Sequence, residues 1–300
     1  MTYKKHKVYP VVIIGAGPAG CAAAIQLRRS GIRFLLIEGD RIGGLVRSAN
    51  LIENYPGFPC GISGPDLASL FENQLNQLKI NITHEVVNSL DYDEPAYKID
   101  TENGVFLSTN IILASGTRPK PIPFEVSIRL QNKVISDIGP ILGIKNQRVI
   151  IVGAGDAAFD YALNLAKWNT VEILNHRKTI SCLPLLTQRA FTLDSISYTD
   201  EIKVTGVKSK RVNPRLHVIC ERKGKQSVIP VDYLLFAIGR IPNISFLSDR
   251  IRNNEGHLIR SGSLYYAGDV KNGFFRQTVI AAGDGLRAAM EISNVLLESQ

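Results

Sequence analysis

The stretch Val11-Val12-Ile13-Ile14-Gly15-Ala16-Gly17-Pro18-Ala19-Gly20 decides the fold. Four apolar residues end abruptly in a glycine-rich turn, and an alanine-rich segment from Cys21 to Ser30, closed by Gly31, follows. That order reads as buried strand, tight turn, helix and C-terminal cap. A second buried strand, Phe34-Leu35-Leu36-Ile37, ends at Glu38. Strand, helix and strand, with an acid about 20 positions after the glycines, make the fingerprint of a βαβ dinucleotide-binding unit. Gly15 permits the turn, Gly17 lets the backbone approach a pyrophosphate, and Gly20 lets the helix pack closely on the strand. The helix that opens at Pro18 and Ala19 offers free N–H groups and a partial positive charge to the phosphates. Glu38 stands where a carboxylate accepts hydrogen bonds from ribose hydroxyls.

The same pattern is written a second time. Arg148-Val149-Ile150-Ile151-Val152 leads into Gly153-Ala154-Gly155-Asp156-Ala157-Ala158, a helix through Ala166 and a strand from Val171 to Leu174. Each copy closes alike, on Asn110-Ile111-Ile112-Leu113-Ala114-Ser115-Gly116 and on Tyr233-Leu234-Leu235-Phe236-Ala237-Ile238-Gly239. Asn103-Gly104 and Lys223-Gly224-Lys225 are the turns of a hairpin in each copy. The Pro-rich stretch from Arg118 to Pro123 and a return near Arg240-Ile241-Pro242 read as crossings between domains. Apolar residues at helical spacing from Thr278 to Leu297 place a last helix back on the first domain. The expectation is an α/β protein with two doubly wound Rossmann-like dinucleotide-binding domains, the second inserted into the first. Residues 1–117 and 241–300 form the first, and residues 118–240 the second.

A chain of 300 residues that is 45% hydrophobic supports two modest cores. The net charge of +8 is spread over scattered lysines and arginines, with only short clusters at Lys4-Lys5 and from Lys208 to Arg211. A nucleic-acid tract would be denser, whereas a diffuse basic field suits an acidic protein partner or a phosphorylated ligand. The four cysteines, Cys21, Cys60, Cys182 and Cys220, stand far apart, and with the five histidines they give no metal-ligand spacing. The run from Val11 to Ile14 is too short for a signal peptide or a membrane span, and the chain reads as cytoplasmic.

Five further signatures, in order along the chain, carry a family resemblance: Gly43-Gly44, the run from Glu53 to Pro59, Ala267-Gly268-Asp269-Val270, Arg276-Gln277, and Ala281-Ala282-Gly283-Asp284-Gly285. Together they resemble the thioredoxin reductase family. The resemblance implies FAD at the first fingerprint, lined by Gly43, Gly44, Asn54, Val87, Gly116, Gly268, Asp269, Arg276, Gln277 and Thr278. It implies NADPH at the second, with NADH as the alternative, on Gly153, Gly155, Asp156 and Ala157. His176, Arg177 and Lys178, just after the second strand, are the bases left to pair a 2′-phosphate, and Ser181 stands where the family has a further arginine. A vestigial domain that binds nicotinamide poorly, or holds another ligand, is the other reading of that region.

The departure from the family lies before the second fingerprint. An ungapped count back from Gly153 puts Ser136 and Gly139 where the family has its Cys-x-x-Cys pair, and a disulfide relay needs two sulfurs. Asp137 is a candidate proton donor or a solvated loop carboxylate; Cys21 and Cys60 are candidates for a single redox thiol or for small buried hydrophobes. The expected activity is hydride transfer from NAD(P)H to FAD and direct electron transfer to an acceptor such as ferredoxin or flavodoxin. That reading matches the thioredoxin-reductase-like ferredoxin-NADP reductases, which also lack the pair. A flavoenzyme acting on a small organic or thiol substrate, and a redox-sensing flavoprotein without turnover, are the alternatives. A homodimer is carried over from the family.

Overall fold

The computed structural model describes residues 8–209 and 216–298, and Lys4, Lys5, Lys210 and Arg211 of the basic clusters lie outside them. The chain begins with β1 (Val8–Ile14), α1 (Pro18–Arg29), β2 (Phe34–Glu38), α2 (Gly64–Gln77), β3 (Ile82–His84), β4 (Val87–Asp93), β5 (Ala96–Thr101), β6 (Val105–Leu113) and β7 (Thr117–Pro119). It continues through β8 (Val134–Ile135), β9 (Arg148–Val152), α3 (Asp156–Leu165), β10 (Thr170–Leu174), α4 (Pro184–Phe191) and β11 (Ile196–Thr199). Then come β12 (Lys203–Ser209), β13 (Leu216–Arg222), β14 (Lys225–Val231), β15 (Tyr233–Phe236), β16 (Arg240–Pro242), α5 (Asp249–Arg260), β17 (Leu264–Tyr266) and α6 (Thr278–Glu298).

These elements form two compact units. One comprises Met1–Arg47, Ile52–Arg118 and Pro242–Gln300; the other comprises Ser48–Leu51 and Pro119–Ile241. The crossings β7 and β16 pair with each other as a two-stranded sheet. Nothing in the composition of Ser48–Leu51 announces that this short segment groups with the second unit.

In the first unit the sheet order is β3-β2-β1-β6-β5-β4, and β17 also pairs with β6. Strands β1, β2, β3, β6 and β17 run parallel, while β4, β5 and β6 form an antiparallel meander. Side chains on β1 alternate between two cores. Val11 and Ile13 pack with Ala23, Leu27 and Ala288 on one face, and Val12 and Ile14 with Leu90, Ile251 and Leu258 on the other. Both faces are covered, which is why the strand reads as an unbroken apolar run. Helix α6 lies so close to α1 that a Cβ on Gly285 would stand 1.9 Å from the Ala19 carbonyl oxygen.

The second unit repeats this plan. Its parallel sheet has the order β11-β10-β9-β15-β8. Val149 and Ile151 face one core with Phe159 and Leu165, and Ile150 and Val152 face the other with Leu216 and Val218. The second core is closed by the antiparallel sheet β12-β13-β14, whose β13–β14 turn holds Lys223 and Gly224 at φ 50° and 76°. Two consecutive left-handed residues are what a two-residue hairpin turn of the twist-matching kind requires.

Candidate functional site

Gly15 ends β1 at φ 104°, and a Cβ there would lie 2.4 Å from the Ala114 carbonyl, so no other residue fits the turn. Its amide donates to the Ile37 carbonyl at 2.8 Å, which locks the turn to β2. At Gly20 a Cβ would fall 1.7 Å from the Gly15 carbonyl oxygen, the close helix-to-turn approach expected of the third glycine. Gly17 is different. A Cβ on it would find nothing within 4 Å, and one on Gly44 would meet only the Gly17 Cα, at 3.5 Å. The two glycines therefore bound open space at the start of α1, a helix with Pro18 in its first turn, no acid there and no side chain capping it. Backbone N–H groups and the positive helix end face that space, and a diphosphate fits it. Glu38 closes the far side: one carboxylate oxygen accepts the Ala16 amide at 2.5 Å and the other the Asp40 amide at 2.8 Å.

Around this cradle the remaining residues of the first unit are held by specific bonds. The Gly43 amide donates to the Ala16 carbonyl at 2.8 Å. Arg47 secures the Gly43-Gly44 turn by donating to the Ile42 carbonyl at 2.5 Å and to Glu72 at 2.9 Å. The Asn54 amide nitrogen donates to the Gln277 side-chain oxygen at 2.8 Å, so two residues predicted to share a ligand do stand together. The Ala267–Val270 turn is braced by Asp284, which accepts from the Gly268 amide at 3.1 Å and from Asn272 at 2.6 Å and pairs with Lys271 at 3.2 Å. Asp284 belongs to a quoted signature, but this bracing could not be read from it. Thr278 begins α6, whose first turn carries no acid. Val87 sits in β4 at an irregular register and packs its side chain on the core, so what it offers a ligand is backbone. Gly116, at φ 63°, accepts the Asn243 amide at 3.0 Å.

The second fingerprint has the same turn. Gly153 stands at φ 135°, a Cβ there would lie 2.3 Å from the Ala237 carbonyl, and its amide donates to Leu174 at 2.9 Å. Buried Ala158 takes the third-glycine position, and a Cβ on Gly155 would have only the Ser181 hydroxyl within 4 Å, at 3.8 Å. Asp156 and Ala157 are exposed at the start of α3. The Asp156 carboxylate accepts the Leu183 amide at 2.8 Å, and the Ser181 amide donates to Ala154 at 2.9 Å, so the Ser181–Leu183 turn is tied to the fingerprint. His176, Arg177 and Lys178 are exposed, and the Arg177 guanidinium donates to His176 Nε2 at 3.2 Å. Asn175, the residue before them, is 3% exposed. Its side chain accepts the Arg177 amide at 3.0 Å and donates to the Thr179 carbonyl and the Tyr198 hydroxyl at 2.9 Å each. Asn175 opens the run that an ungapped count sets against the family's basic NADPH readers, and these bonds depend on partners fixed by the sheet.

Ser136 and Gly139 occupy a partly exposed turn between β8 and a short 3-10 helix from Gly139 to Ile141. Asp137 accepts the Gly139 amide at 3.0 Å and faces Arg240 at 3.9 Å, the bonds of a loop brace. All four cysteines are free. Cys21 is buried in the first core, where desolvation pushes its thiol up to about 12 and so disfavours the thiolate that a redox role would need. Burial, reinforced by Asp156, pushes Cys182 up to about 12, and burial pushes Cys220 to about 11. Cys60 alone is exposed.

The chain matches the pyridine nucleotide-disulphide oxidoreductase family over residues 9–285. It belongs to that family. It is 30% identical to thioredoxin reductase 2 of Arabidopsis thaliana over 319 aligned positions, covering 98% of this chain and 83% of that one. The crystal structure of Lactococcus lactis thioredoxin reductase superposes with a TM-score of 0.85 at 26% identity, over 97% of this chain and 99% of that one. A bacillithiol disulfide reductase from Staphylococcus aureus shares the fold, with a TM-score of 0.76 at 19% identity over 98% and 99% of the two chains. The two-Rossmann-domain α/β fold is therefore that of the thioredoxin reductases, and the chain is a flavin-dependent NAD(P)H oxidoreductase of the thioredoxin-reductase-like type, a group that uses FAD and NADPH. Among the described residues no helix is long and apolar enough to cross a membrane, and no group of acids, histidines and cysteines could hold a metal ion.

Proposed function

We propose that this enzyme takes electrons from NADPH and passes them from its flavin directly to an external acceptor, a ferredoxin or flavodoxin, without a dithiol relay of its own. The observation that carries this reading is the turn with Ser136 and Gly139 at the cysteine positions, in a chain whose four cysteines are all unpaired. Bound FAD would supply the exchange between two-electron and one-electron chemistry. The start of α1, with Gly17 and Gly44, would hold its diphosphate; Glu38 its adenosine ribose; Asp269 and Gly268 the sugar-alcohol chain; and Asn54, Arg276, Gln277 and Thr278 the ring end. Gly153, Gly155, Asp156 and Ala157 would seat the NADPH diphosphate, and His176, Arg177 and Lys178 its 2′-phosphate. The +8 charge favours encounter with an acidic carrier. The working form in this reading is a cytoplasmic homodimer.

A second reading, reduction of a small disulfide, is favoured by exposed Cys60, which follows Asn54 on one loop. Steady-state assays of the FAD-loaded protein with NADPH separate the two. Turnover with ferredoxin or flavodoxin, undiminished in Cys60→Ser, supports the first. Turnover with small disulfides alone, lost in Cys60→Ser, overturns it in favour of the second.

A further inference from the structure

Two consecutive phenylalanines stand out from the first unit in the turn before α6. Phe274 is fully exposed and Phe275 is 77% exposed, the two most solvent-facing aromatic rings among the described residues. Their exposure is built into the turn. Gly273 bends the chain at φ 56°, the Phe275 amide donates to the Asn272 carbonyl at 2.9 Å, and the Arg276 amide donates to the Phe274 carbonyl at 3.0 Å. On one side Asn272 is tied to Asp284 at 2.6 Å, and on the other Gln277 is tied to Asn54 at 2.8 Å. An aromatic pair whose backbone is fixed in advance loses little freedom when it docks.

The bond from Asn54 to Gln277 also sets a second loop beside this turn. That loop carries Tyr55 and Phe58, both partly exposed, with ring centroids 5.9 Å apart. Around the phenylalanines the charge is positive. Lys271 and Arg276 bracket them, and no acid occurs between Asp269 and Asp284. Lys271 pairs with Asp284 and keeps 40% of its side chain in solvent. The first turn of α6, which follows at once, carries no acid to offset the positive helix end.

The shape and the charge together select the occupant. A small molecule is held in a concavity that buries most of it. Rings that project from a turn instead fit a recess on another macromolecule, as aromatic anchors do at the centre of protein interfaces. A second copy would bring the same cationic rim against itself across a two-fold axis, whereas an acidic protein meets it with opposite charge.

We infer that the turn from Lys271 to Arg276 is the docking tip for an acidic electron-carrier protein: Phe274 and Phe275 anchor the carrier, and Lys271 with the positive end of α6 draws it in. This rests on the reading of a ferredoxin or flavodoxin as acceptor and deepens it, because the tip leads directly into Gln277 and Thr278, assigned above to the ring end of the flavin.

The test is steady-state oxidation of NADPH by the full-length FAD-loaded protein, with an acidic two-iron ferredoxin or a flavodoxin as acceptor and ferricyanide as the small-acceptor control. The double variant Phe274→Ala, Phe275→Ala is expected to raise the KM for the carrier about tenfold or more, and to leave kcat and the ferricyanide rate within about twofold. Phe274→Trp keeps an aromatic anchor and should stay within about twofold of the native KM. Phe274→Ala alone changes one fully exposed side chain; it should raise KM about three- to fivefold, and it decides the matter if the double variant does not fold. A native protein that reduces neither carrier, whatever its rate with ferricyanide, would sink the acceptor reading and this inference with it. Native carrier turnover with a KM unmoved by the double variant and by Phe274→Ala would keep the acceptor reading and overturn the tip. Sedimentation supplies the remaining arm: an oligomer that the double variant splits into protomers, with the carrier KM unmoved, would assign the tip to a second copy and overturn the inference.

Discussion

Asn54 donates a 2.8 Å hydrogen bond to Gln277 across 223 positions of sequence, joining the loop after β2 to the start of α6. Both side chains are exposed, so their bond contributes little to folding, and their value lies in the surface they present together. Gln277→Ala is expected to leave the melting temperature within about 1 °C and to raise the FAD dissociation constant a few-fold, in keeping with about 0.5–1.5 kcal/mol for one such bond. Fluorescence titration of the apoprotein with FAD, beside a thermal melt, checks this.

Two glycines with opposite surroundings make a paired test. At Gly17 a Cβ meets nothing, so Gly17→Ala should fold normally and purify with little FAD because the methyl projects into the diphosphate cradle. At Gly285 a Cβ meets Ala19 backbone at 1.9 Å, and Gly285→Ala must push α6 off α1. Overpacking of this kind costs about 1–3 kcal/mol and should lower the melting temperature by several degrees. Equal effects of the two substitutions on stability would contradict this geometry.

Burial pushes the Asp160 carboxyl up to about 6; Asp156 adds to the rise, while Lys167 and hydrogen bonds from backbone amides oppose it. An acid whose folded value lies above its unfolded one, about 3.9, binds protons more readily when folded. The sign is fixed: this group destabilises above pH 6, and the penalty fades as pH falls from about 6 toward about 4. Asp160→Asn should therefore raise the denaturant midpoint at pH 8 and change it little at pH 4.5. A midpoint raised equally at both values would point to packing rather than charge.

Cys60→Ser removes the one exposed thiol. Ferredoxin or flavodoxin reduction by NADPH should keep its rate within about twofold, since direct transfer from the flavin uses no thiolate. A loss of tenfold or more would assign that cysteine to the chemistry.

The duplication was legible because each copy concentrates its fold signal in a short apolar strand, a glycine turn and an acid or base at the next strand end. Gly15, Gly20 and Gly153 are required by contacts a few residues away or across one strand, and such constraints leave a local mark. The first domain's Glu38 was equally visible, as an acid at the expected distance. The bonds of Asn175, which stands at the same place in the second unit, were not, because an asparagine after a strand normally reads as a turn residue. Only the pairing of β10 with β9 and β11 shows what it faces. The bracing of the Gly268 turn by Asp284, the anchoring of the Ser181–Leu183 turn by Asp156 and the grouping of Ser48–Leu51 with the second unit likewise depend on tertiary neighbours rather than on period or propensity.

The claim that electrons leave from the flavin with no dithiol behind it is tested most directly by anaerobic titration of the FAD-loaded protein with NADPH, following the oxidised-flavin absorbance. A lone two-electron centre predicts complete bleaching at about one NADPH per FAD, whereas a flavin coupled to a disulfide takes up about two. An end point near one supports the account. An end point near two would mean that two of the cysteines form a redox pair after all, and would contradict it.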